Sequence, residues 1–292
     1  MFEHFAQLRL KANGEEISLV RAGSGPPLLL LHGHPQTHAI WHKVAAGLAR
    51  HFTVVATDLR GYGDSGKPAG LPDHSNYAKR VMAQDQVEVM QALGFPQFRV
   101  LAHDRGARVA HRMAVDHPER VQKLVTLDIA PTLAMYEHTN LAFATQYFHW
   151  FFLIRPFPFP ETLISADPEL YLKHTLGGRS AGLAPFTEAA YAEYARCIRD
   201  PRTVHGLCED YRASAGIDLE HDRLDLAQGR KVQCPMLALW GGRGVVDKVV
   251  DPLAEWRRVA LDVRGKALDC GHYVAEEAPE ALLAEVLPFL QA

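Results

Sequence analysis

The chain has 292 residues, 48% of them hydrophobic and 22% charged, proportions of an ordinary globular protein with room for one large domain or a core plus a smaller insertion. Its net charge of −3 makes no electrostatic case for nucleic acid or an anionic membrane as partner. The N-terminus, MFEHFAQLRLKANGEE, is charged early and has no apolar leader core. The longest aliphatic run, Leu28 to Leu31, is too short to span a bilayer, so a cytoplasmic protein with no membrane partner is predicted. Cys197, Cys208, Cys234 and Cys270 form no C-x-x-C pair and read as reduced packing residues.

In chain order, PPLLLLHG reads as a buried strand and HAIWHKVAAGLARHF has helical spacing. FTVVATDLRGYGDSG is a second strand running into a Gly-rich loop. YAKRVMAQDQVEVMQALG is a long helix closed by Gly94. FRVLAHD is a third strand, ARVAHRMAVDHPER a helix stopped near Pro118, and VQKLVTLDIAP a fourth strand. This alternation predicts βαβ units, hence an α/β fold with a mostly parallel central sheet and helices on both faces. After Pro131 the rhythm breaks. Residues 132–229 are rich in aromatics, prolines and helix-like pieces, and FHWFFLIRPFPFPETL is too apolar for a plain loop. A helical cap over 132–229 is expected, between core segments 1–131 and 230–292. The rhythm resumes with the strand CPMLALWGG, the helix DPLAEWRRVA, the strand end GKALDCGH and the closing helix PEALLAEVLPFL.

In open parallel sheets the site lies at the carboxyl ends of the strands, where the polar candidates are His32, His34, Asp58, Asp104, Asp128, Asp247 and His272. Asp104 stands in Ala102-His103-Asp104-Arg105-Gly106 between a strand and a helix. A nucleophile elbow needs small residues two before and two after its centre, because strand and helix approach closely there; Ala102 and Gly106 meet that need. The plainer use of such an aspartate is to cap the helix. His32-Gly33-His34-Pro35 suits an oxyanion loop, its amide pairing with that of Arg105, and His272 in Cys270-Gly271-His272 occupies the place of a general base. DLRGYGDSG lacks the Lys-Ser/Thr of a phosphate loop, and no H-E-x-x-H or comparable set suggests a metal. No cofactor is expected.

LHGHPQ, DLRGYGDS, HDRGAR, LDIAPT, FHW and CGH, running from Leu31 to His272, resemble the α/β-hydrolase branch of dehalogenases and epoxide hydrolases, and within it the haloacetate dehalogenases, including those acting on fluoroacetate. HDRGAR with LDIAPT and FHW is the more specific part. The resemblance implies a hydrolase converting a haloacetate and water to glycolate and halide through an ester on Asp104. A carboxylate suits displacement of halide from an sp³ carbon, since the resulting ester is hydrolysable where a serine ether would not be. His272 would activate the water. The residues alone leave the orienting acid open between Asp128 and Asp247; the pattern LDIAP implies Asp128, with Asp247 an exposed loop charge.

Arg105 and Arg108 are three apart at the start of the helix after the elbow and share a face, an arrangement suited to a substrate carboxylate. The plainer alternative pairs them with acidic surface residues. His149 and Trp150 offer an imidazole and an indole N–H to the departing halide, and the resemblance adds Tyr211. Phe148, Phe151 and Phe152 are expected in the cap core, and Tyr147, Tyr191 and Tyr194 are expected to be structural. His34 departs from the aromatic residue the resemblance implies and is expected to line the pocket. The resemblance also implies a homodimer. Two other functions compete. One is an epoxide hydrolase recruiting Tyr147 and Tyr211 as acids, which Arg105 and Arg108 argue against. The other is a non-catalytic small-carboxylate binding protein.

Overall fold

The computed structural model describes residues 1–292. Strands β1 (Ala6–Ala12), β2 (Glu15–Ala22), β3 (Pro27–Leu31), β4 (Thr53–Thr57), β5 (Phe98–His103), β6 (Val121–Leu127), β7 (Met236–Gly241) and β8 (Val263–Leu268) form one sheet in the order β1-β2-β4-β3-β5-β6-β7-β8. From β4 to β8 every pairing is parallel, and β1 and β2 join antiparallel at the edge. The expected α/β architecture is therefore present. The edge hairpin is an addition to the sequence reading, which began the sheet at PPLLLLHG. Its signal was the Asn13-Gly14 dipeptide, both residues at positive φ (47° and 85°), as a tight hairpin turn requires.

Side chains of successive strand residues alternate between two cores. Leu29, Leu31, Val100 and Ala102 face one, and Leu28, Leu30, Leu101 and Val125 the other. The second face is covered by α1 (Ala45–Ala49) and α15 (Pro279–Gln291) through Leu48, Leu282 and Val286. The first is covered by α2 (Lys79–Ala92), α3 (Asp104–Asp116) and α13 (Pro252–Val259) through Met82, Met113 and Trp256. HAIWHKVAAGLARHF is not one helix. A 3₁₀ turn over His38–Lys43 precedes α1, anchored where Asp58 accepts both the amide and Nδ1 of His38 at 2.8 Å.

Between β6 and β7 the chain is entirely helical: α4 (Thr132–Glu137), α5 (Leu141–Gln146), α6 (His149–Phe152), α7 (Phe159–Ala166), α8 (Pro168–Gly177), α9 (Glu188–Ile198), α10 (Pro201–Ala215) and α11 (Ile217–Gln228). Its Trp150, Tyr194 and Tyr211 belong to the same hydrophobic core as the first face of the sheet, so the insertion shares a core with the sheet beneath it. The short helices α12 (Val246–Val249) and α14 (Val274–Glu277) follow β7 and β8. No helix is long and apolar enough to cross a membrane.

Candidate active site

The turn from β5 into α3 forces Asp104 to φ +47°, a backbone state that costs a non-glycine residue about 1–3 kcal/mol. Close approach explains the small neighbours. A Cβ on Gly106 would lie 2.3 Å from the His32 carbonyl, and one on Gly33 would lie 2.4 Å from the Asp104 Cβ. The helix-cap alternative fails on geometry. His103, not Asp104, holds the N-cap position of α3, with no side-chain cap bond. Asp104 Oδ1 instead accepts the His34 amide at 2.8 Å, and its Oδ2 lies 3.5 Å from His272 Nε2.

Behind the imidazole, His272 Nδ1 is 2.5 Å from Asp128 Oδ2. The other oxygen of Asp128 accepts the Gly241 amide at 2.8 Å, fixing the carboxylate at the end of β7, and Asp128 too is held at positive φ (50°). Asp247 is exposed and accepts only from Trp240 Nε1 at 3.2 Å. Of the two acids left open by the sequence, Asp128 is thus the one against the histidine. Burial opposes charge on His272 and Arg179 repels it, yet the hydrogen bonds it donates to Asp104 and Asp128 raise the imidazole above its ordinary 6.5. Burial works against the Asp104 carboxylate as well. The His272 hydrogen bond and charge, with Arg179, hold it well below the usual range.

Tyr147 is not merely structural. Its hydroxyl lies 3.0 Å from His272 Nδ1 and 3.5 Å from Asp128 Oδ2, and burial beside Asp128 pushes the phenol well above its ordinary value, so it remains a neutral donor. Tyr194 fits the structural expectation, donating to Glu276 at 2.7 Å.

The two arginines of α3 separate in role. Arg105 Nε and Nη2 donate to the two carboxylate oxygens of Asp210 at 3.0 and 2.8 Å, and Nη2 also reaches the Asp210 carbonyl at 3.0 Å. Only Nη1 has no protein partner. Arg105 is thus paired with a buried acid of α10, with one nitrogen left over. Lys79 and Tyr62 bind the same Asp210. Arg108 meets only neutral oxygens, the Ala130 carbonyl at 3.1 Å and Thr132 Oγ1 at 2.9 Å. Burial, with Arg105 beside it, lowers its guanidinium to about 10, and it lies 4.6 Å over the Trp150 ring.

His149, Trp150, Tyr211 and His34 cluster as expected. The His34 ring stacks on His149 at 5.4 Å and meets Tyr211 edge-on at 5.2 Å; Tyr211 also touches the His149 and Trp150 rings and carries the Arg105 guanidinium over its face at 4.1 Å. All four side chains are buried. His149 Nε2, Trp150 Nε1, Tyr211 Oη and His34 Nδ1 have no protein partner. Burial and then Arg179 hold both imidazoles well below their ordinary range, so these rings are neutral. Burial beside Asp104 pushes the Tyr211 phenol well up.

Two features escaped the sequence reading. Arg179, in the turn after α8, is buried against the site. Its Nη2 donates to the His34 carbonyl at 3.0 Å and Tyr273 Oη at 2.6 Å, and its own carbonyl accepts the His272 amide at 2.9 Å. No motif marks it; tertiary packing alone brings it there. Glu161, His205 and Glu209 gather ligand atoms within 4.8 Å, but Arg212 Nη1 already donates to both carboxylates at 2.6 and 2.7 Å, so a cation occupies that cluster.

A family model of the alpha/beta hydrolase fold matches residues 26–279. The chain belongs to the α/β-hydrolase family. It is 44% identical to a fluoroacetate dehalogenase of Burkholderia sp, over 96% of this chain and 92% of that one. It is also 36% identical to a soluble epoxide hydrolase of Corynebacterium sp. (strain C12), over 95% and 94%. A solved α/β hydrolase from Nostoc sp PCC 7120 superposes with a TM-score of 0.97 at 57% identity, covering 99% of both chains.

As an α/β-hydrolase site the arrangement presents a buried carboxylate at an elbow, an imidazole within reach of it and a second carboxylate behind the imidazole. The neutral His272 ring is depleted as pH drops through its raised value. NMR titration of the His272 ring should give a midpoint above 6.5. Asp128→Asn should lower it, because removing the anion removes the stabilisation of the imidazolium; an unchanged midpoint would show that Asp128 is electrostatically idle.

Proposed function

We propose that this α/β-hydrolase is a hydrolytic dehalogenase of haloacetates, fluoroacetate foremost, acting through an aspartyl ester on Asp104. The observation that carries the reading is the set of buried, unpartnered donors of His149, Trp150 and Tyr211 gathered around one another beside an anionic nucleophile. An epoxide oxygen needs proton donors too, but it has no use for Arg108, which has no acidic partner among its hydrogen bonds.

In this reading Arg108, with the one unpartnered nitrogen of Arg105, binds the substrate carboxylate. Asp104 Oδ2 attacks the methylene carbon; the new C–O bond forms as the carbon–halogen bond breaks, and the halide leaves with its electron pair towards His149, Trp150 and Tyr211. Preorganised donors at developing charge are the main catalytic lever in a buried site. Water then attacks Asp104 Cγ while His272 Nε2 takes its proton. The negative charge that develops on Oδ1 meets the His34 amide, already 2.8 Å away, and Asp128 holds the imidazolium. Collapse releases glycolate and restores the carboxylate.

In His272→Ala, attack on carbon survives and water is no longer activated. Mass spectrometry after incubation with chloroacetate should find a carboxymethyl ester on Asp104. Its absence from a folded, substrate-binding variant would refute the covalent route. Diol formation from an epoxide, assayed beside halide release, separates the epoxide hydrolase reading; that reading is weakened here because Tyr147 is held on His272.

Arg108→Ala should lower kcat/KM for haloacetates roughly 10- to 150-fold, the equivalent of one charge-assisted contact of about 1.5–3 kcal/mol. Unchanged kcat/KM in halide-release kinetics would remove the carboxylate from the substrate. Arg105→Ala is the poorer test, since stripping a buried ion-pair partner costs about 3–5 kcal/mol of stability by itself.

Four free thiols, three of them buried, support action in a reducing compartment, the cytoplasm. A homodimer belongs to the same proposal, supported by the exposed apolar side chains of Phe157, in the turn before α7, and of Phe159, Leu163 and Leu170 along α7 and α8. Light scattering should return twice the 32.5 kDa chain mass; a monomer at micromolar concentration would contradict it.

A further inference from the structure

Arg179 carries a charge that the reaction above does not use. Its side chain is buried, and all of its hydrogen bonds go to neutral oxygens: Nε to the Thr175 carbonyl at 3.2 Å, and Nη2 to the His34 carbonyl and to Tyr273 Oη. The rings of Tyr147 and Tyr273 lie 5.4 and 5.2 Å from the guanidinium carbon. Nη1 has no protein partner. A buried guanidinium with no carboxylate among its hydrogen bonds is unusual, because desolvation is costly unless a counter-charge offsets it; here the nearby Asp104 supplies that charge without a hydrogen bond. Arg105, by contrast, has its acid in Asp210.

Arg179 also stands on a different wall from Arg108. Arg108 contacts Ala130, Thr132 and Trp150. Arg179 is bound to the His34 carbonyl and, through its own carbonyl, to the base His272. The two share no contact. Arg179 lines a cleft of about 270 Å³ together with Tyr147, Arg243 and His272. The one acid of that cleft, Glu277, is already engaged by the Gly271 and Tyr273 amides at 2.8 and 3.0 Å. No carboxylate lining this cleft is hydrogen-bonded to Arg179.

We propose that Arg179 forms a second anion subsite that receives a second carboxylate of the substrate, so that the site takes α-halo dicarboxylates of the halosuccinate type in addition to monohaloacetates. The inference rests on the dehalogenase reading for its chemistry. One carboxylate sits on Arg108. The halogen-bearing carbon faces Asp104. The second carboxylate reaches the unpartnered Arg179 Nη1. Asp104 displaces halide from the substituted carbon with inversion, and water at Asp104 Cγ releases a 2-hydroxy dicarboxylate, halide and a proton. Once Asp104 is esterified its charge is gone, and the distal carboxylate alone balances Arg179.

Binding of two unreactive probes, succinate and propionate, to the full chain by calorimetry isolates the subsite from the chemistry. The wild-type protein should bind succinate at least about tenfold more tightly. Arg179→Met should bring the two within about threefold, and Arg179→Lys, which keeps the charge but not the fork, should fall between. The ratio of kcat/KM for 2-chlorosuccinate against 2-chloropropionate should follow the same order. Equal binding of both probes by the wild type overturns the proposal. So does a Met variant that weakens both probes equally, because Arg179 then serves only to hold Asp104 ionised. Should the Met variant not fold, the wild-type preference and the Lys variant still decide. Halide release from chloroacetate, run on the same wild-type preparation, reports on the dehalogenase reading separately. No release with a clear succinate preference sinks that reading and leaves the subsite, while release with no preference does the reverse.

Discussion

The site depends on one carboxylate held in a turn that its own backbone disfavours. At φ +47° Asp104 projects between the loop after β3 and the loop after β8. It can do so only because Gly33 and Gly106 leave no side chain in the way. The two carboxylate oxygens then fall into different surroundings, one on the His34 amide and one facing His272. That division leaves one oxygen held by a backbone amide and the other facing the imidazole. The strain, of order 1–3 kcal/mol, is offset by the packing of β5 and α3 against their buried neighbours.

The helical insertion is tied to this elbow by charge as well as by a shared core. Arg105, next to Asp104, donates from two nitrogens to Asp210 of α10, and Lys79 of α2 binds the same carboxylate. Arg105, Lys79 and Asp210 are all buried, where the attraction is weakly screened but the desolvation is large. Such a pair fixes position more than it adds stability. Tyr211, the residue after Asp210, is thereby held with its ring over Arg105 and its hydroxyl unspent. The placement of a donor in the insertion is thus a consequence of an ion pair made by the core.

Electrostatics around Asp104 are finely divided. His272 is drawn towards protonation by two carboxylates and away from it by burial and Arg179. In the proposed reaction, conversion of Asp104 to an ester removes one of those carboxylates and shifts the balance towards the neutral ring. Arg179 thus bears on both groups: it favours the ionised Asp104 carboxylate and disfavours a charged His272.

Much of this was legible in the sequence because it is local. Alternating apolar runs give parallel strands, and small residues two positions either side of Asp104 give an elbow, since both are dictated by neighbours within a few residues. The break in rhythm after Pro131 likewise marks the helical stretch. The Asn13-Gly14 hairpin was written in the sequence as plainly and went unread. What the tertiary structure alone decided are pairings across long separations in the chain. Asp128 rather than Asp247 backs His272, Arg105 finds Asp210 105 residues away, Tyr147 reaches His272, and Arg179 arrives from an unremarkable turn. A charged side chain in a one-dimensional sequence has no direction. Only the closing of the insertion over the sheet removes water from around these groups, and with it the freedom of each charge to go unpaired.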